Sequence, residues 1–368
     1  MAKAAGVGAE ERLRIAMVST PYVSVPPARY GGTELVVSEL ANGLTRRGHE
    51  VVLFATGDSR APCTVRSLFP TPVWPPDPLH EQAHASWAAQ AIRASARPFD
   101  VVHAHVPSFL PWARLLGDLP VVYTLHHDRD ERLTRFYRSV SADVEYVAIS
   151  ARQARLNPEL ARRWVVHHGL DPDAYPLGET GQGYLAFLGR YSEVKGPDVA
   201  VRVAGRIGRE LRMAGRPHEM DGNFAARVLA PLLRLPHVRD LGELGHAAKV
   251  RLLAGADALL FPIAWEEPFG LVMIEAMLCG CPVVAFAGGA VEEVVEPGLT
   301  GFVARDASDM ARIVRDEVPR LDRLRVRERA VQRFSNMRMV DDYVTLFRRA
   351  IERRRSDGRA VAAEVAGG

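Results

Sequence analysis

The sequence predicts two consecutive α/β domains, each a doubly wound parallel sheet covered by helices on both faces. Three observations carry that prediction. Short, nearly continuous apolar runs alternate with amphipathic stretches from Arg14 onward, the pattern of strands buried on both sides. A soft stretch from His168 to Gly183, rich in Gly, Pro and Asp, interrupts the series, and the alternation restarts after it. The length of 368 residues suits about two domains, at roughly 150 residues each, with a core in each.

In the first domain, residues 14–170, Arg14–Ser19 and Glu50–Thr56 read as buried strands. Between them, Glu34 to Arg47 places Leu35, Val36, Leu40 and Leu44 on one helical stripe, and Gly48 stops that helix. Strands follow at Asp100–Ala104, Pro120–Leu125 and Glu145–Ile149. The second domain, residues 184–335, begins with a strand at Tyr184–Leu188 and a helix over about Pro197 to Arg209. Further strands are expected at Leu211–Ala214, Val238–Leu241, Ala258–Pro262 and Pro282–Phe286, with a helix at Phe269–Leu278. Met339, Tyr343, Phe347 and Ile351 recur every four residues and predict a closing amphipathic helix over 336–354. Residues 355–368 read as a frayed tail. In such pairs of domains a ligand sits between them, at the carboxyl ends of the strands.

Composition removes several functions. Lys and Arg number 47 against 44 Asp and Glu, a formal net charge of +3. The charges are interspersed, so nucleic acid is not expected as a partner. Arg129 to Arg138 interleaves four arginines with Asp128, Asp130 and Glu131, a solvated helix in preference to a membrane-docking one. Three cysteines, Cys63, Cys279 and Cys281, make no disulfide framework and fit a reducing cytoplasm. Cys279 and Cys281 lie in an apolar run and read as buried small residues. The first fourteen residues lack a signal-peptide core, and no run of about 18 apolar residues exists. A soluble, cytoplasmic protein is expected.

Familiar nucleotide loops are missing. No Gly-x-x-x-x-Gly-Lys-Ser/Thr occurs, and Gly181-Gln-Gly183 precedes its strand instead of following it. Four other features carry chemistry. Tyr30-Gly-Gly-Thr-Glu34 opens a helix after a strand, and Gly31 and Gly32 let the backbone approach a ligand or simply make a tight turn. Arg190 and Lys195 follow the first strand of the second domain, where two cations can grip a diphosphate. Glu267 precedes a helix that Gly270 opens, and Glu275 lies inside it within the apolar run Leu271–Leu278. Two carboxylates beside a diphosphate must face neutral hydroxyls, which points to a nucleotide-linked sugar. Histidines pair after apolar runs, at His103 and His105, His126 and His127, and His167 and His168. No matching carboxylate or cysteine spacing supports a metal, whether there or at His80 and His84, so strand-end histidines are expected to face substrate oxygens.

Together these stretches resemble the retaining nucleotide-sugar glycosyltransferases of the GT-B fold, family four. The resemblance rests on Tyr30–Glu34, Asp100–His105, His167–Asp171, Gly189–Gly196, the Glu-x7-Glu run from Glu267 to Glu275, and Gly288–Glu293 through Gly298–Gly301. It implies two facing Rossmann-like domains, an interdomain cleft and a C-terminal helix crossing back to the first domain. By that resemblance Arg190 and Lys195 stabilise the leaving diphosphate, and Glu275 holds the ribose. Glu267, with the backbone of Phe269, Gly270, Leu271 and Val272, holds the sugar and phosphates. Gly31 and Gly32 close over the donor, and His126 touches the donor sugar. His168 departs from the Asn that many relatives carry before Gly-Val-Asp. The implied reaction moves a hexose from a nucleotide diphosphate sugar, UDP-glucose first and GDP-mannose next, to a hydroxyl of a small-molecule or glycolipid acceptor. No cofactor and no essential metal are expected. A sugar-nucleotide epimerase or phosphorylase of the same fold, or a non-catalytic nucleotide-sugar-binding protein, are the alternatives.

Overall fold

The computed structural model describes residues 12–29, 31–127, 129–140, 144–160, 162–217 and 222–367, with side chains to 357. Tyr30 and Asp128, both named above, lie outside the described residues.

Two parallel sheets build the molecule. The first holds β1 (Arg14–Val18), β2 (Glu50–Phe54), β3 (Thr64–Arg66), β4 (Val101–Ala104), β5 (Val121–Thr124), β6 (Val144–Ala148) and β7 (Arg163–Val165). Their order in space is β3-β2-β1-β4-β5-β6-β7. The second holds β8 (Tyr184–Leu188), β9 (Glu210–Ala214), β10 (Val238–Asp240), β11 (Ala258–Phe261), β12 (Val283–Phe286) and β13 (Gly301–Ala304), in the order β10-β9-β8-β11-β12-β13. In each sheet the strand order reverses beside the first strand, between β1 and β4 and between β8 and β11. Such a switch point opens a crevice at the carboxyl ends of the strands.

Burial explains the apolar runs. Ile15 and Met17 of β1 pack with Val36, Leu40 and Leu44 on one face, while Ala16 and Val18 pack with Ala88, Ile92 and Tyr123 on the other. A strand covered twice has no polar side to show. Three strands escape the sequence reading. β3 and β7 are three-residue edge strands with exposed ends, and β13 begins at a glycine. Leu35, expected on the core stripe of the helix Gly32–Arg46, is half-buried and packs against the second domain's core. Cys279 and Cys281 are fully buried free thiols, and burial pushes both up to about 12.

The closing helix is one element, Asn336–Gly367, where the sequence suggests fraying after residue 354. Its Met339, Val340, Tyr343 and Phe347 complete the first domain's core. The chain therefore crosses between domains twice, and the crossings pair. The Leu170 amide donates to the Phe334 carbonyl and the Asn336 amide to the Leu170 carbonyl, each at 2.9 Å. Arg338 Nη2 donates to the carbonyls of His167 (2.7 Å) and His168 (3.0 Å). Asn336 Nδ2 donates to Glu39 at 2.8 Å, and burial pushes that carboxyl up to about 7. Among the described residues, no helix is long and apolar enough to cross a membrane.

Candidate active site

The residues singled out in the sequence stand mostly on loops and helices that follow strands of both sheets, and some of them meet across the two domains. On the first-domain side, Gly31 caps the helix Gly32–Arg46. A Cβ built on Gly32 would meet Leu271 of the second domain at 3.4 Å, so this turn touches the opposite wall. Buried Glu34 braces it by accepting from Thr20 Oγ1 at 2.5 Å, and burial raises that carboxyl. His126 follows β5 and is half-buried. Its Nε2 lies 2.8 Å from Nδ1 of His105, which follows β4. The His168 ring stacks on His126 at 5.6 Å, and Phe269 meets His168 edge-on at 5.1 Å, linking the two domains. Burial lowers the histidines at 105, 126 and 168, the last to about 3, so all three are neutral near pH 7. His103 does not face the cleft as expected of a strand-end histidine. It is fully buried within β4, against Tyr343 and Phe347 of the closing helix.

On the second-domain side, half-buried Arg190 and Lys195 stand in the loop after β8. Lys195 Nζ donates to Glu267 Oε2 at 2.5 Å and lies 4.5 Å from the Trp265 ring centre. Trp265 Nε1 donates to the same oxygen at 3.0 Å. Gly289, in left-handed backbone (φ +57), lets its chain pass against the Glu267 peptide, where the Ala290 amide donates to the Glu267 carbonyl at 2.8 Å. Phe269 is buried, and Gly270 at φ +84 turns the chain into the helix Leu271–Leu278. Leu271 and Val272, half-buried, supply the first amides of that helix, a place suited to negative charge. Glu275 is buried one turn further in. Its Oε1 accepts from Tyr175 Oη at 3.0 Å and from Lys249 Nζ.

The two glutamates are thus built alike. Each is tied through one oxygen to a lysine and an aromatic donor, and the second oxygen has no partner among the described residues. A carboxylate offers about four lone-pair sites. Anchored this way, each presents a fixed acceptor edge to hydroxyl groups without rotating. Among the described residues, no three His, Cys, Asp or Glu side chains converge as a metal site.

Residues 30–174 match the family Glycosyltransferase Family 4, and residues 176–316 match Glycosyl transferases group 1. The chain is a glycosyltransferase. The glycosyltransferase is similar to D-inositol 3-phosphate glycosyltransferase of Mycobacterium tuberculosis (strain ATCC 25618 / H37Rv), 28% identical over 98% of this chain and 89% of that protein. It is also similar to AviGT4, a glycosyltransferase involved in avilamycin A biosynthesis, at 27% identity and a TM-score of 0.70, covering 92% of this chain and 98% of that one. Anabaena HepE in complex with UDP and glucose shares the fold at 19% identity and a TM-score of 0.72, covering 91% and 99% of the two chains. The GT-B architecture implied by the resemblance is the one observed.

Several residues of the glycosyltransferase's cleft carry no signal of their own in the sequence. Tyr175 sits in the soft interdomain stretch, and Lys249 on an otherwise ordinary helix (His246–Gly255). Trp265 stands two residues before Glu267 with nothing in the sequence to single it out. Two interdomain ties are equally silent. Arg152 donates Nε and Nη2 to Glu266, both at 2.8 Å. Glu293 accepts the amides of Ala151 (2.8 Å) and Arg152 (3.2 Å) at the start of the helix Ala151–Leu156, and bonds His167. Burial alone would raise the Glu293 carboxyl, but His167 and those amides outweigh it and hold it low.

Proposed function

We propose that this glycosyltransferase is a retaining, metal-independent family-four enzyme. It moves a hexose from a nucleotide diphosphate sugar, UDP-glucose first and GDP-mannose next, to a hydroxyl of a small-molecule or glycolipid acceptor. The observation that carries the reading is the pair of singly anchored glutamates flanking one helix start. Glu275 takes the ribose hydroxyls through Oε2, and Glu267 takes sugar hydroxyls through Oε1. Lys195 keeps further N–H donors beyond the one given to Glu267 and, with Arg190, grips the diphosphate. The amides around Phe269 to Val272 and the dipole of their helix add positive potential where a metal would otherwise act. Gly31 and Gly32 close over the donor, and His126 faces the hexose.

In the step itself, the bond from the anomeric carbon to the diphosphate oxygen breaks as the acceptor oxygen bonds to that carbon from the same face. The acceptor proton passes to the departing phosphate oxygen. Lys195, Arg190 and the helix start stabilise the charge that develops there. HepE, in its complex with UDP and glucose, and the inositol phosphate relative support this class of donor and acceptor.

Calorimetric titration with UDP, GDP and ADP tests the reading, with wild type and the Arg190→Ala/Lys195→Ala double variant. Micromolar binding of one nucleotide, lost in the double variant, is the expected result. Binding of none refutes the diphosphate grip and both glutamate roles. Anomeric NMR of the product then reads retention directly.

A further inference from the structure

We infer that His105 is a positioning residue that fixes His126 as its Nδ1–H tautomer, so that His126 offers the cleft a hydrogen-bond donor and no basic nitrogen. The inference rests on the reading of His126 as a contact to the donor sugar.

One proton is shared along the 2.8 Å line between His105 Nδ1 and His126 Nε2. Both rings are neutral, so one donates and the other accepts. The rest of His105 decides the direction. Its Nε2 is buried and has no partner among the described residues, in a residue only 2% exposed. Were His126 the donor, His105 would carry its own proton on that orphaned Nε2. Buried N–H groups without an acceptor are rare because the whole desolvation penalty of the donor is then uncompensated. With His105 donating from Nδ1, the buried atom is a bare lone pair and no N–H is stranded. His126 then accepts at Nε2 and must hold its proton on Nδ1. That nitrogen has no hydrogen-bond partner among the described residues and belongs to a half-buried ring just after β5.

The same rule runs one layer deeper. His103 Nε2 lies 2.8 Å from Thr124 Oγ1, and Thr124 Oγ1 lies 2.7 Å from Tyr343 Oη. His103 Nδ1 is buried without a partner among the described residues, so His103 carries its proton on Nε2 and donates to Thr124. The His103 ring lies 4.1 Å from His105, and the His126 ring 5.1 Å from it. His105 is therefore packed against both rings as well as bonded to one, and these contacts oppose its turning over to reverse its donor. Tyr343 and Phe347 of the closing helix hold His103 in turn. The consequence is chemical. His126 can donate to a hydroxyl or phosphate oxygen, but it cannot take the acceptor's proton, which leaves that role to the departing phosphate.

Long-range 1H–15N correlation on the full chain labelled at histidine reads the tautomer directly, with His126→Asn to assign the signals. In unliganded wild type, His126 is expected as the Nδ1–H form. His105→Asn keeps an N–H donor at the Nδ1 position and should retain turnover within about threefold, whereas His105→Leu should lose about tenfold, the worth of one hydrogen bond. The Leu variant should also show a mixture of His126 tautomers while binding UDP within twofold of wild type. An Nε2–H form in wild type, or unchanged turnover and spectrum in His105→Leu, overturns the inference. If wild type binds no UDP, the donor-site reading falls, while the tautomer, measured without ligand, still decides the inference.

Discussion

Gly289→Ala is the sharpest probe of how the Glu267 carboxylate is held. Gly289 has φ +57, and a Cβ there would lie 2.0 Å from the Glu267 carbonyl oxygen and 2.3 Å from its amide nitrogen. Both are backbone atoms, so neither can swing aside as a side-chain tip would. Two costs combine. Left-handed backbone costs an L-residue about 1–2 kcal/mol, and forcing a methyl into a filled site costs about 1–3 kcal/mol more. Gly298 supplies the control, because it has φ +77 and nothing within 4 Å of its Cβ position. Gly298→Ala carries the conformational cost alone. The loss of unfolded-chain entropy is common to both variants and cancels in their difference. Urea unfolding should therefore place Gly289→Ala about 1–3 kcal/mol below Gly298→Ala. Because the displaced peptide carries Glu267, turnover should fall in Gly289→Ala and persist in Gly298→Ala. Equal stability of the two variants, or full turnover in Gly289→Ala, would refute the claim that this glycine sets the carboxylate.

Three further outcomes are expected. Lys195→Ala should cut turnover by about two orders of magnitude if the ammonium stabilises developing phosphate charge, and a steady-state assay giving the wild-type rate removes that role. Glu275→Gln strands the ammonium of Lys249, whose side chain is only 16% exposed, and should destabilise by about 3–5 kcal/mol. Adding Lys249→Met should restore the melting temperature but not nucleotide affinity, so recovery of both would dismiss the ribose role. Glu39 has its carboxyl raised by burial to about 7, so the folded state holds its proton more tightly than the unfolded chain. That contribution is complete below the ordinary carboxylate range and is lost as pH rises through about 7, on the order of 3 kcal/mol in all. Glu39→Gln should flatten the fall in stability between pH 5 and pH 8, and an unaltered slope in denaturant titrations would exclude Glu39 as its source.

Much of this architecture was legible because both sheets are covered on two sides. Ile15-Ala-Met-Val18 and Ala258-Leu-Leu-Phe261 have no solvated face, so the strands announce themselves as apolar runs. β3 and β7 sit at a sheet edge with two of their three residues exposed, and nothing in Thr64-Val-Arg66 distinguishes a strand from a loop. The site divides in the same way. Glu275 stands out because a carboxylate in an apolar helix demands a reason, and Glu267 because it stands just before that helix begins. Their anchors do not, since Tyr175 and Lys249 are brought to Glu275 from 100 and 26 residues away by the fold alone. His103 misled for a related reason. A histidine at the end of an apolar run can face outward or inward, and only the closing helix, through Tyr343, decides it.

That closing helix has a consequence for how the polypeptide is made. Ile15, Met17, Val36 and Leu40 belong to a core that Met339, Tyr343 and Phe347 finish, so the amino-terminal half emerges from the ribosome with a bare apolar flank. The carboxyl-terminal sheet, by contrast, has all its strands translated by Ala304. At about 5–20 residues per second, the flank waits on the order of 15–60 s for its cover. The half synthesised first is thus completed last. A ribosome that stops between residues 304 and 336 releases a chain whose second sheet is complete in sequence and whose first still shows a sticky face, the form that a chaperone or protease is built to find.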